Sequence, residues 1–171
     1  MENLKLKKMK NLIILTVLAI SLAACTSNNA KQQAENVELV KSYIAAVENL
    51  DFESMGNYLD VNYIGMGPSY GDSIGKIEAV ENWKWCVENL YEKIQYNRSR
   101  FAAVTIPDGD NKGEWVANWA ELTIVYQDDI GEVTVWANTN YLIENGKIKR
   151  SLTFYNEADV LRQLGFVMVL P

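Results

Sequence analysis

The dominant hydrophobic period of this chain changes from helical spacing to β-rich runs at about Ile94, and that change limits the folds open to it. Before it, apolar residues recur at helical spacing. Val37, Val40, Ile44 and Val47 mark an amphipathic helix over Glu35–Leu50. Asp51-Phe52-Glu53 restarts a second, short helix to about Leu59, with Asp51 as N-cap. Ile77, Val80, Trp83, Val87, Leu90 and Ile94 predict a third helix from Lys76 to about Lys93. Between these helices, Asp60–Gly67 reads as a short strand and Pro68–Gly75 as a loop. After Ile94 the runs are β-rich: Tyr96–Ile106, Glu114–Gln127, Val133–Ile143 and Lys147–Tyr155. Turn signals divide them at Pro107–Asp110, Asp128–Gly131 and Glu144-Asn145-Gly146, where Asn-Gly is a strong hairpin signal. A helical turn over Glu157–Leu164 closes the chain, with Gly165 as its C-cap. Helices first and a meander of long antiparallel strands afterwards make an α+β domain. Long strands twist and curl, so helices packed on the concave side leave a cone with a pocket at its open end.

The first 25 residues concern address. Lys5, Lys7, Lys8 and Lys10 precede the apolar run Leu12–Ile20, and Leu22-Ala23-Ala24-Cys25 ends it with small residues and a cysteine. A secretory signal has this charge, apolar core and exit, and the run is shorter than the ~20 residues needed to span a bilayer. The last four residues resemble the lipobox of bacterial lipoproteins. That resemblance implies cleavage before Cys25, a diacylglycerol on its sulfur and an acylated new amino group. Three segments follow: a signal peptide over 1–24, a flexible tether over 25–34 and one domain over 35–171. The expected location is the bacterial cell envelope, at the outer membrane if the cell has two.

Charge and rare residues exclude several classes. The chain has 16 basic and 22 acidic residues, and loss of residues 1–24 would leave 12 and 21, a net charge of −9. Such a surface repels nucleic acid and anionic headgroups alike, so lipid on Cys25 is the expected membrane attachment. With Cys25 acylated, Cys86 has no disulfide partner and reads as a small core residue. Histidine is absent, which removes histidine bases, triads and metal sites. No cysteine cluster or close set of carboxylates suggests a metal, and no cofactor is expected.

The order of elements, with the tail Asn145–Gly165 and the segment Gly75–Trp83 (GKIEAVENW), resembles the SnoaL-like group of the nuclear transport factor 2-like superfamily. Gly146-Lys147-Ile148 are similar to that group's tail turn, and Leu164-Gly165 to its end. The resemblance implies a cone with a curved, mostly antiparallel sheet and helices on its concave face. It also implies dimers formed sheet to sheet. In SnoaL-like cyclases and similar isomerases it implies a carboxylate that moves a proton beside a carbonyl, but Asn156 stands where many members have that aspartate. An amide donates and accepts hydrogen bonds without carrying a proton.

Alternation places candidate pocket residues. On the last strand Ile148, Leu152 and Phe154 put the even face inside, taking Arg150 and Asn156 with them. Arg150 either clamps a carboxylate ligand or pairs with an acid such as Glu121; Asn156 either lines the pocket or caps the closing helix. On the third long strand Val133, Val135, Tyr141 and Ile143 put the odd face, with Thr139, inside. Trp115, Trp119 and Glu121 share a face that the uncertain turn length leaves unassigned. Either Trp119 and Glu121 line the pocket, or Trp115, Trp119 and Trp136 form an outer stripe covered by a second subunit. Tyr63 and Trp83 complete the ligand-binding candidates, with ordinary core packing as the competing role for both. Two functions follow. One is a non-catalytic, lipid-anchored envelope domain that binds a small, partly apolar molecule or a protein partner. The other is a hydro-lyase or isomerase using Asp60 or Glu121 as base, with Arg150 holding the substrate.

Overall fold

A computed structural model describes residues 29–167 and 169; the signal segment and Cys25 lie outside them. The chain divides into two units, Met1–Glu35 and Asn36–Pro171. In the first, the described residues 29–35 are helical. The expected tether over 25–34 overlaps this segment, and composition explains the helix: Ala, Lys and Gln favour it, and Lys31 pairs with Glu35 one turn on.

In the second unit, helix α1 covers residues 36–48 and buries Val40, Tyr43, Ile44 and Val47. Asp51 caps α2 (Phe52–Tyr58) by accepting from the Ser54 amide at 2.9 Å. Strand β1 (Leu59–Met66) follows, and then β2 (Ser73–Gly75), a short strand inside the segment expected to be loop. Helix α3 runs over Lys76–Asn89, four residues shorter than its apolar spacing predicts. The long strands are β3 (Tyr91–Ile106), β4 (Gly113–Tyr126), β5 (Gly131–Glu144) and β6 (Lys147–Tyr155), and α4 (Glu157–Gln163) closes the fold.

The six strands form one sheet in the order β2-β1-β6-β5-β4-β3. Only the β1–β6 pair is parallel; the others are antiparallel. The core fills the concave face: Val40, Ile44, Val47, Met55 and Ala79 of the helices meet Ile94, Val116, Tyr141, Ile143 and Ile148 of the strands.

Two irregularities decide what each face carries. Leu142 pairs with Arg150 while Ile143 pairs with Ile148, so Lys149 is an extra residue in β6. A one-residue bulge reverses which side chains face the core beyond it. Between Asn97 and Arg100, β3 likewise carries one extra residue, with Arg98 at φ 50°.

Candidate functional site

The concave face encloses a cavity of about 670 Å³. Its floor is Tyr43 and Val47 from α1 with Tyr63 from β1. The helix side adds Trp83 from α3, and the start of β3 adds Tyr91 and Tyr96. The sheet contributes Leu122, Ile124 and Tyr126 from β4, and Val135, Ala137, Thr139 and Tyr141 from β5. Ser151, Thr153 and Tyr155 from β6 complete the wall, while Gly67, Pro68, Glu157 and Leu161 stand round its rim. Gly67 is required at that rim. Its φ is +91°, and a Cβ there would run into the Thr153 carbonyl oxygen.

Seven tyrosines therefore face one space, and the chemistry of the wall is that of neutral phenols. Burial raises the phenols of Tyr43 and Tyr141 well above their ordinary value. Burial, with the Glu48 carboxylate adding to it, pushes Tyr96 up to about 12. Burial likewise raises Tyr63, Tyr91, Tyr126 and Tyr155. Near neutral pH these groups donate and accept hydrogen bonds but do not act as bases. The rings of Tyr91 and Tyr96 show some surface to the cavity, yet their phenol ends sit among protein atoms. Two polar pairs lie on the strands: Tyr63 Oη with Ser151 Oγ at 2.6 Å, and Thr139 Oγ1 with Thr153 Oγ1 at 3.1 Å. Glu157, at the rim, is the one charged residue of the lining among the described residues, and it accepts a hydrogen bond from Ser69 Oγ at 3.2 Å. Among the described residues no group of three His, Cys, Asp or Glu side chains could hold a metal.

Of the candidate residues, the structure brings Tyr63, Trp83, Thr139 and Tyr141 together on this wall. Arg150 and Asn156 lie elsewhere, because the bulge at Lys149 turns Ser151, Thr153 and Tyr155 inward instead. Arg150 sits opposite Ile64 and Leu142 on the outer face. Asn156 caps α4, accepting from the Asp159 amide at 3.2 Å.

Trp119 is also outside. In β4 the even residues Val116, Asn118 and Ala120 are buried, which sends Trp119 and Glu121 to the convex face. There Glu121 pairs with Arg98 at 3.2 Å, not with Arg150, because the β3 bulge directs Arg98 toward it. Asp60 accepts from the Asn62 amide at 2.8 Å and from Lys149 at 3.2 Å, and these two partners hold its carboxyl below the usual range. Neither acid lines the cavity, whereas the expected role of Asp60 or Glu121 as base needs one of them there. Sequence reasoning missed Tyr43, Tyr91, Tyr96, Tyr126, Tyr155, Ser151 and Thr153. The available signal was the count of nine tyrosines in one chain, which exceeds what a plain aliphatic core requires.

The convex face carries a shallow depression formed by Trp119, Trp136, Asn138, Phe154 and Asn156. Trp119, Trp136 and Phe154 are 48%, 65% and 50% exposed.

A curved sheet with helices filling its hollow and a cavity left at one end defines the α+β cone of the nuclear transport factor 2-like, SnoaL-like fold. Solved structures agree on that fold. A protein described as a SnoaL-like polyketide cyclase from Shewanella denitrificans matches with TM-score 0.62 and 10% identity, over 77% of this chain and 97% of that one. An epoxide hydrolase of LEH-like type from M. tuberculosis matches with TM-score 0.57 and 13% identity, over 78% and 91%. A protein of ketosteroid isomerase-like fold from Catenulispora acidiphila, in complex with trimethylamine, matches with TM-score 0.60 and 14% identity, over 76% and 94%. No protein-family model and no curated protein matches the sequence. Identities this low establish the shared architecture and leave the activity to the site.

Proposed function

We propose that this chain is a lipid-anchored protein of the bacterial cell envelope whose cavity binds a small, partly apolar molecule without transforming it. One observation carries the binding half: a 670 Å³ hollow walled by aromatic rings and hydroxyls, whose single carboxylate among the described residues stands at the rim. Hollows of roughly 300–1,000 Å³ with apolar walls and a few placed polar groups are the usual form of a small-molecule site. Proton transfer needs a group that exchanges a proton near neutral pH within reach of the ligand, and raised phenols do not supply one. One structural neighbour is itself a complex with a small molecule, trimethylamine. The anchoring half rests on the charged, apolar and small-residue order that ends at Cys25.

Several named neighbours are cyclases, an isomerase and a hydrolase, so the alternative is a hydro-lyase or isomerase. It would need Glu157 as base in place of Asp60 and Glu121. Native mass spectrometry of the purified chain separates the readings. An intact co-purifying ligand supports binding, and turnover lost in Glu157→Gln would overturn it. Metabolic labelling with an alkynyl fatty acid tests the anchor, with label on the parent and none on Cys25→Ala.

The outer aromatic trio is proposed to be covered by a second copy of the chain. Exposed apolar surface of this extent favours association, and a sheet face pairs readily with its own copy. Light scattering should give twice the monomer mass, reduced to the monomer in Trp136→Lys.

A further inference from the structure

Four rings and one carboxylate of the cavity are arranged in a way that generic apolar binding does not require. Trp83 and Tyr91 have centroids 6.2 Å apart with planes at 53°. Tyr91 and Tyr126 are 5.6 Å apart at 62°. Neither pair is stacked flat: Trp83 is tilted against Tyr91, Tyr91 and Tyr126 meet edge to face, and all three line the same cavity. Tyr155 stands near Tyr126 and Glu157, close enough for both to act on its phenol electrostatically. Glu157 closes the same side at the rim. Among the described residues no lysine or arginine lines the cavity, and the chain contains no histidine.

From this geometry, and resting on the binding function proposed above, we infer that the ligand carries an alkylated ammonium head, held between Trp83, Tyr91, Tyr126 and Tyr155 with Glu157 as its counter-charge. The faces of tryptophan and tyrosine rings are electron-rich, and a cation within about 6 Å of a ring centroid is attracted to them, most strongly where water is excluded. Alkylation of the head follows from the hydrogen bonding. The hydroxyls of the strands are paired with each other, Tyr63 with Ser151 and Thr139 with Thr153. A bare ammonium would have to exchange its water for hydroxyls that already share their hydrogen bonds. A trimethylated nitrogen has no N–H to satisfy and offers its methyl groups to the ring faces. The space beyond the rings, toward Val47 and Tyr141, takes the apolar remainder of the molecule.

Calorimetric titration of the full chain with phenyltrimethylammonium and with tert-butylbenzene tests the inference, because the two probes share a shape and differ in charge. The cation should bind at least tenfold tighter, equivalent to about 1.4 kcal/mol. Glu157→Gln should lower that ratio at least twofold, and Tyr126→Leu should bring it toward unity. Equal affinity of the two probes overturns the ammonium head and leaves the binding function standing. Binding of neither probe overturns both. A ratio untouched in Tyr126→Leu places the cation outside these rings and overturns the assignment. Should that variant not fold, the paired probes on the parent chain and Glu157→Gln still decide.

Discussion

Raising the pH from about 8 to about 11 should destabilise this protein by ionising the phenols of its cavity. A group whose value is raised in the fold holds its proton there while the unfolded chain releases it. Its stabilising contribution is complete below the unfolded value and is lost as pH rises through the folded one. Tyr96 rises from 10.0 to about 12. At 1.36 kcal/mol per unit, one such phenol withdraws roughly 1.4 kcal/mol by about pH 11. Tyr43, Tyr91 and Tyr141 are raised as well. Their ionisation adds losses of the same sign, set against a whole stability of about 5–15 kcal/mol for a domain. Urea unfolding at stepped pH, read with tyrosinate absorbance, measures both sides of this linkage. Tyr96→Phe isolates one group: its stability should fall by about 1.4 kcal/mol less than the parent's across the same interval. A flat stability through pH 11, or equal slopes for parent and variant, would refute the reasoning that burial holds these protons.

Three further outcomes follow from the geometry. Gln127→Ala removes the amide that donates to the Val87 and Tyr91 carbonyl oxygens at 3.1 Å each; it should cost about 1–3 kcal/mol in urea unfolding and speed hydrogen exchange at the end of α3. Gly67→Ala forces a left-handed residue and a collision with the Thr153 carbonyl oxygen, so its midpoint should drop by the equivalent of about 3 kcal/mol. The double variant Asp60→Asn, Glu121→Gln should leave ligand affinity within about twofold, since a change below 0.5 kcal/mol is expected of groups outside the cavity; a tenfold loss would return those acids to the site.

Much of the architecture was legible because local signals carry it. The Val40, Ile44 and Val47 stripe, the Asp51 cap, the Asn145-Gly146 turn and the odd face of β5 each follow from spacing or from one residue's conformational preference. The left-handed φ of 51° at Asn145 and 70° at Gly146 is what such a turn demands. On β5, alternation placed Thr139 and Tyr141 on the inner face, because the strand runs without a bulge opposite β4.

β6 shows where that reasoning stops. Ile148 is inside as its alternation implies, but the single extra residue at Lys149 sends Arg150, Leu152 and Phe154 out and Ser151, Thr153 and Tyr155 in. A bulge costs little locally and leaves no distinctive residue type behind, so it is fixed by what the neighbouring strands and the core can accommodate. The end of α3 is similar. Its apolar spacing continues to Ile94, yet the helix stops at Asn89, where Gln127, far along the chain, satisfies the carbonyl oxygens of Val87 and Tyr91.

By itself, then, the sequence determined an α+β chain with no histidine chemistry and a surplus of tyrosine. Tertiary structure alone decided that seven of those phenols share one hollow and that Asp60 and Glu121 stand outside it. The reason is that strand parity is counted through every bulge and turn, and one uncounted residue exchanges the wall of a cavity for the surface of the protein.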